Sequence, residues 1–183
     1  PRDKISIIPN GIHLLHPPSD LEAGRVRREL SLPEEALVIG TVGRLDPIKA
    51  YDRLLHAFAQ LRSGSSVGPK PDTLLLIGDG PERGRLERLV GELELGDSVR
   101  FLGWRTDVSR ILGAMDVFVL PSDSEGTSIS LLEAMAAGRA VVATAVGGTP
   151  DVIGAGGAGR LVAPGDVEAL ADGLREVLGD AEH

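Results

Sequence analysis

Short apolar runs alternate along this chain with longer stretches that repeat their apolar residues at helical spacing. Ile5-Ser6-Ile7-Ile8, Leu37 to Gly43, Thr73 to Ile77, Val99 to Leu102, Val117-Phe118-Val119-Leu120, Ala140 to Thr144 and Arg160 to Val162 read as strands. The longer of these are apolar at consecutive positions, the mark of strands covered on both faces. Helices are predicted over Ser19 to Leu30, Lys49 to Leu61, Glu82 to Leu93, Thr106 to Leu112, Ser128 to Ala137 and Val167 to Leu178, and Gly147-Gly148-Thr149-Pro150 opens another. In the second of them Leu54, Leu55, Phe58 and Leu61 fall on one face. Ser63 to Pro71, rich in Ser, Gly and Pro, reads as a surface loop. The regular alternation predicts an α/β fold: a doubly wound parallel sheet, Rossmann-like, with helices on both faces.

Such sheets bind ligands outside the carboxyl ends of their strands. Here those ends carry Pro9-Asn10-Gly11, Gly43-Arg44, Gly78-Asp79-Gly80, Gly103-Trp104, Ser122 to Gly126 and Ala145 to Gly148. The most informative is the stretch from Asp123 to Ala136, where a buried strand ends at Pro121, turns through small polar residues and enters a helix. Free N–H groups and the positive end of the helix dipole converge there, a favourable place for an anion. Glu125 is placed in the loop and Glu133 inside an apolar helix segment, where a carboxylate needs a hydrogen-bonding partner. Hydroxyls of a sugar or ribose would serve, although one loop Glu and one solvated helix Glu is the plainer reading. Arg44 and Lys49, which follow another strand exit, are expected to project toward the same anion. The GxxxxGK[ST] phosphate loop is absent, and Gly78-Asp79-Gly80 gives only part of GxGxxG, since Arg83 stands at the third glycine position.

With 183 residues, one domain over 1–183 is expected. The net charge of −8 argues against a nucleic-acid partner or a general membrane-surface binder. The chain has no cysteine, which removes disulfide and thiol redox chemistry and fits a cytoplasmic setting. No apolar run approaches the roughly 20 residues that span a bilayer. The chain begins at Pro1 and ends just after a helical pattern, so the expectation is a domain cut from a longer polypeptide.

Taken in order, these segments resemble the donor-binding half of GT-B-fold glycosyltransferases, most closely the retaining enzymes of family 4, also called glycosyl transferases group 1. The resemblance rests on Ile7-Ile8-Pro9-Asn10-Gly11-Ile12, on Gly43-Arg44-Leu45 with Lys49, and on Leu75-Leu76-Ile77-Gly78-Asp79-Gly80-Pro81. It continues through Val99-Arg100-Phe101-Leu102-Gly103, the glutamates Glu125 and Glu133 with seven residues between them, Gly147-Gly148-Thr149-Pro150, and Leu161 to Asp166. It runs over essentially the whole chain.

The resemblance implies a nucleoside diphosphate sugar as substrate, no separate cofactor, and an acceptor domain preceding this chain. It implies that Arg44 and Lys49 bind the donor diphosphate and that Glu125 holds hydroxyls of the donor sugar, these three being the expected catalytic residues. Glu133 would hold the ribose, and N–H groups around Gly126, Thr127 and Ser128 would cradle the distal phosphate and sugar. Gly43 and Gly78 would line the nucleotide site, and the Trp104-Arg105 loop would face the nucleobase. Asp123-Ser124-Glu125 has the look of a DxD metal motif, but GT-B enzymes generally use protein cations and a helix dipole, so no metal is expected. His13 stands where the family often has Asp, and Ala50 where Gly often follows the lysine. His13, His16 and His56 have no metal-ligand spacing and read as surface or packing residues. Any membrane contact, at the inner face, would come through the preceding domain. The isolated domain is expected to bind donor without transferring sugar. Alternatives that stay open are a nucleotide-sugar epimerase or sugar-phosphate synthase on the same fold, an NAD-binding oxidoreductase domain, and a non-catalytic nucleotide-sugar-binding module.

Overall fold

The computed structural model of the protein describes residues 11–12, 17–63, 71–154 and 159–180. The strand expected at 5–8, most of the Pro9-Asn10-Gly11 turn, His13, His16 and most of the Ser63 to Pro71 loop lie outside the described residues. In chain order the elements are α1 (Asp20–Glu29), β1 (Val38–Val42), α2 (Tyr51–Ser63), β2 (Thr73–Ile77), α3 (Arg83–Glu92), β3 (Val99–Gly103) and α4 (Val108–Leu112). There follow β4 (Val117–Leu120), α5 (Ile129–Ala136), β5 (Ala140–Thr144), α6 (Thr149–Gly154), β6 (Arg160–Val162) and α7 (Val167–Asp180).

The strands form one six-stranded sheet in the order β3-β2-β1-β4-β5-β6. Every neighbouring pair is parallel. The two halves wind outward in opposite directions from β1 and β4, so the crevice of the fold opens between the carboxyl ends of those two strands. Successive strand residues face opposite sides, and the core divides accordingly. Ile39, Leu74, Leu76, Val117, Val119 and Val142 pack with Leu54, Leu55 and Phe58 of α2, Leu86 of α3 and Leu174 of α7. Val38, Leu75, Ile77, Phe118, Leu120 and Val141 pack on the other side with Val26 of α1, Ile111 of α4, Leu131 of α5 and Ile153 of α6. Each fully buried Leu, Ile or Phe contributes about 1.5–3 kcal/mol relative to exposure. That burial on both faces is why the strands read as continuous apolar runs.

One local expectation is corrected. Lys49 does not enter the helix: Pro47–Lys49 form a single 3-10 turn and Ala50 takes the left-handed conformation, φ 50 and ψ 38, before α2 begins at Tyr51. Pro47 fixes its own φ and starts the turn. The left-handed residue then ends it, a job glycine does without steric cost. The Ala50 that stands in place of the family's usual Gly therefore occupies a position where the backbone itself favours glycine.

Candidate active site at the sheet switch point

The loop after β1 is bolted to its neighbours by backbone bonds. Gly43 N–H donates to the Ile77 carbonyl at 2.9 Å, Leu45 N–H to the Asp79 carbonyl at 3.0 Å, and Gly78 N–H to the Gly103 carbonyl at 2.8 Å. Gly78 has φ +133, and a Cβ there would lie 2.0 Å from the Gly43 carbonyl oxygen. Only glycine permits this approach, which brings the exits of β1, β2 and β3 into one wall. Val42, Gly43, Arg44, Ile77, Gly78, Trp104, Arg105 and Val108 line an open groove of about 480 Å³. Trp104 is 77% exposed at its edge. Arg105 is tied to Asp107 by two hydrogen bonds of 2.8 Å, which raise the titration point of the arginine and lower that of the aspartate.

Across the switch point, the loop after β4 is held equally tightly. Asp123 N–H donates to the Ile48 carbonyl at 2.8 Å, which docks this loop against the turn that carries Lys49. Gly148 N–H donates to the Gly126 carbonyl at 2.9 Å. Gly147 has φ +51 with its Cβ position only 1.7 Å from the Glu125 carbonyl oxygen, so the turn before α6 presses directly on the Glu125–Gly126 backbone. Ser128 caps α5, its hydroxyl accepting from Leu131 N–H at 3.4 Å.

Between the two loops, Lys49 Nζ meets Glu125 Oε1 at 2.6 Å. The Glu125 side chain is 9% exposed and that of Lys49 22%. Ser122 Oγ donates to the same Oε1, also at 2.6 Å. Asp123, the first residue of the DxD-like triplet, is ion-paired with Arg53. Both carboxylates of that triplet thus face cations of the chain itself. Among the described residues there is no group of three or more His, Asp or Glu placed to hold a metal ion. Arg44 lines the groove with its side chain 69% exposed and pairs with Asp46 at 2.7 Å. The side-chain carboxylate of Glu133, partly buried in α5, has no hydrogen-bond or ion-pair partner among the described residues, and burial pushes its titration point up.

The structure therefore brings Lys49, Glu125, Gly126 and Ser128 into one loop-and-helix start, and Gly43, Arg44, Gly78, Trp104 and Arg105 into the adjoining groove. Thr127 belongs to the same loop. Two features escaped the sequence reading. One is Ser122, a fully buried serine whose only signal was its place after the strand-ending Pro121. The other lies under Gly43: the buried hydroxyls of Thr41 and Tyr51 face each other without reaching hydrogen-bond geometry. Burial raises the titration point of the Tyr51 phenol well above its ordinary value.

Residues 36–180 match the family described as Glycosyl transferases group 1. The chain belongs to this family. It is 35% identical over 188 residues to the D-inositol 3-phosphate glycosyltransferase of Stackebrandtia nassauensis, with 98% of this chain and 42% of that protein covered. It is 36% identical over 162 residues to the 2-deoxystreptamine glucosyltransferase of Streptomyces kanamyceticus, covering 87% of this chain and 41% of the relative. The chain thus spans less than half the length of these curated relatives. Among solved structures, Anabaena HepE in complex with UDP-glucose superimposes with a TM-score of 0.86 at 29% identity, covering 97% of this chain and 48% of that one. The C-terminal domain of LpcC, a glycosyl transferase group 1 protein of Francisella tularensis, superimposes with a TM-score of 0.79 at 25% identity, covering 94% of this chain and 90% of that domain. The six-stranded parallel sheet matches the Rossmann-like domains of GT-B glycosyltransferases.

Proposed function

We propose that this chain is the donor-binding half of a retaining glycosyltransferase, which takes a nucleoside diphosphate sugar and transfers its sugar to an acceptor held by a preceding domain. The observation that carries the reading is the Lys49–Glu125 contact at the switch point of the sheet. A cation and a carboxylate at the start of α5 offer a diphosphate and a sugar their separate recognition groups within one site. The complexes of HepE with UDP, with UDP and glucose, and with UDP-glucose support a nucleotide-sugar ligand.

In this reading the nucleobase lies in the groove beside Trp104 and Arg105, and Glu133 accepts from ribose hydroxyls. The ribose supplies the donors that the unpaired Glu133 lacks. Negative charge grows on the diphosphate as the bond from the anomeric carbon to the phosphate oxygen breaks. Lys49, Arg44 and the N–H groups of Gly126, Thr127 and Ser128 stabilise that charge in place. The ammonium of Lys49 has three protons, so it can hold a phosphate oxygen without abandoning Glu125. We assign the binding no metal requirement, because Asp123 and Glu125 are each committed to a cation of the chain.

Calorimetry with UDP, GDP and ADP and their glucose conjugates, in excess EDTA, tests this. Binding of one base series is expected, undiminished by EDTA and weakened by salt through screening. Preferential binding of NAD, or a strict Mg²⁺ or Mn²⁺ requirement, would overturn it.

A further inference from the structure

We propose that Ser122 is a positioning residue for sugar recognition: its hydroxyl fixes Glu125 so that the carboxylate stays aimed when Lys49 is shared with the diphosphate. The proposal rests on the site reading above and adds a residue that reading does not use.

Glu125 Oε1 accepts from two donors, Lys49 Nζ and Ser122 Oγ, each at 2.6 Å. The two donors differ in what they can do next. Lys49 sits on a flexible stem with a partly exposed side chain, and an arriving diphosphate draws its ammonium. Ser122 cannot move. It is fully buried, follows Pro121, and its carbonyl accepts from Thr144 Oγ1 at 2.6 Å, with the same hydroxyl reaching the Leu120 carbonyl at 3.2 Å. Thr144 ends β5, so the strut that holds Ser122 runs from strand to strand across the sheet edge.

The backbone of Ser122 serves the fold, while its hydroxyl has Glu125 as its one hydrogen-bond partner among the described residues. A carboxylate this buried needs compensation whenever its cation is shared. The serine supplies it and restricts the rotation of the Glu125 side chain, leaving Oε2 to accept from the ligand. Arg53, paired with Asp123 in the same loop, is engaged elsewhere and cannot substitute.

The test is a double-mutant cycle read by calorimetry with two probes: the tightest-binding of UDP-, GDP- and ADP-glucose, and the matching nucleoside diphosphate. Ser122→Ala is expected to weaken the sugar nucleotide about tenfold, the lower end of the range for one hydrogen bond to a charged group, and the diphosphate by less than about twofold. In the Glu125→Ala background, Ser122→Ala should cause no further loss, since its effect passes through Glu125. The unchanged diphosphate affinity serves as the control for folding. Equal loss for both probes, or the same loss with and without Glu125, would overturn the role of Ser122 and leave the site reading standing. If Glu125→Ala leaves sugar-nucleotide affinity intact, or the unmodified chain binds none of the three sugar nucleotides, the site reading itself fails and this proposal with it.

Discussion

Two ion pairs flank β4, one at each end of the strand, and they are built differently. At the amino end Asp116 meets Arg27, with both carboxylate oxygens 3.0 Å from Nη2. Both terminal nitrogens of the guanidinium and both carboxylate oxygens are engaged there. Arg27 Nη1 donates to the Glu34 and Ala36 carbonyls at 2.9 and 2.8 Å, and Asp116 Oδ2 also accepts from Val38 N–H at 2.7 Å. At the carboxyl end Lys49 meets Glu125 through a single nitrogen and a single oxygen. Two ammonium protons and one carboxylate oxygen have no protein partner among the described residues. The saturated pair is a rivet that locks α1 against the sheet. The unsaturated pair has hydrogen-bonding capacity left over for a ligand, and it sits where a doubly wound sheet binds one.

The largest effect that sharpens this contrast is on binding. Arg44→Ala with Lys49→Ala is expected to weaken nucleoside diphosphate binding about hundredfold, since two charge-assisted contacts are lost. The melting temperature should fall only by what Lys49→Ala costs, since Arg44 is exposed and its ion pair with Asp46 is a surface one, whereas loss of Lys49 leaves the buried Glu125 carboxylate with Ser122 alone. Calorimetry beside thermal unfolding measures both. Unchanged affinity would break the contrast at its functional end.

The saturated pair should respond in the opposite sense. Asp116→Ala is expected to cost about 2 kcal/mol in urea unfolding, discounted from the loss of a fully buried pair because both side chains are partly exposed. Diphosphate affinity in the folded fraction should stay the same. A large loss of affinity at unchanged stability would mean the two ends are not separable.

The smallest effect concerns the turn that carries Lys49. Ala50→Gly relieves a left-handed alanine but adds chain entropy to the unfolded state. The net expectation is a gain of up to about 1 kcal/mol in unfolding free energy with diphosphate affinity held within about twofold. A clear loss of affinity would show that the rigidity of Ala50 holds Lys49 in place.

Much of this was legible in the residue order. The strand runs at Val38–Val42, Thr73–Ile77 and Val117–Leu120 and the helix spacing in α2 depend on local burial patterns, and they appeared with boundaries close to those observed. The glutamates at the start and inside α5 were legible because a helix start after a strand is a local event. The Lys49 turn was misread as helix because the deciding feature, a left-handed Ala50, leaves no trace in an alanine. Ser122 was passed over because a serine at a loop start has no chemistry until something is placed against it.

The sequence by itself determined the α/β alternation, the clustering of glycines at strand exits and the identity of the charged residues there, since each follows from periodicity or composition within a few neighbours. Only the tertiary structure decided which of those charges meet. Lys49 and Glu125 are 76 positions apart, and Arg27 and Asp116 are 89 apart. Each contact exists because β1 and β4 pair at the centre of the sheet, and that pairing is fixed by burying both faces at once. Whether an ion pair is left with capacity for a ligand is then set by what the surrounding backbone supplies: carbonyls and an N–H at the amino end of β4, one serine hydroxyl at the other.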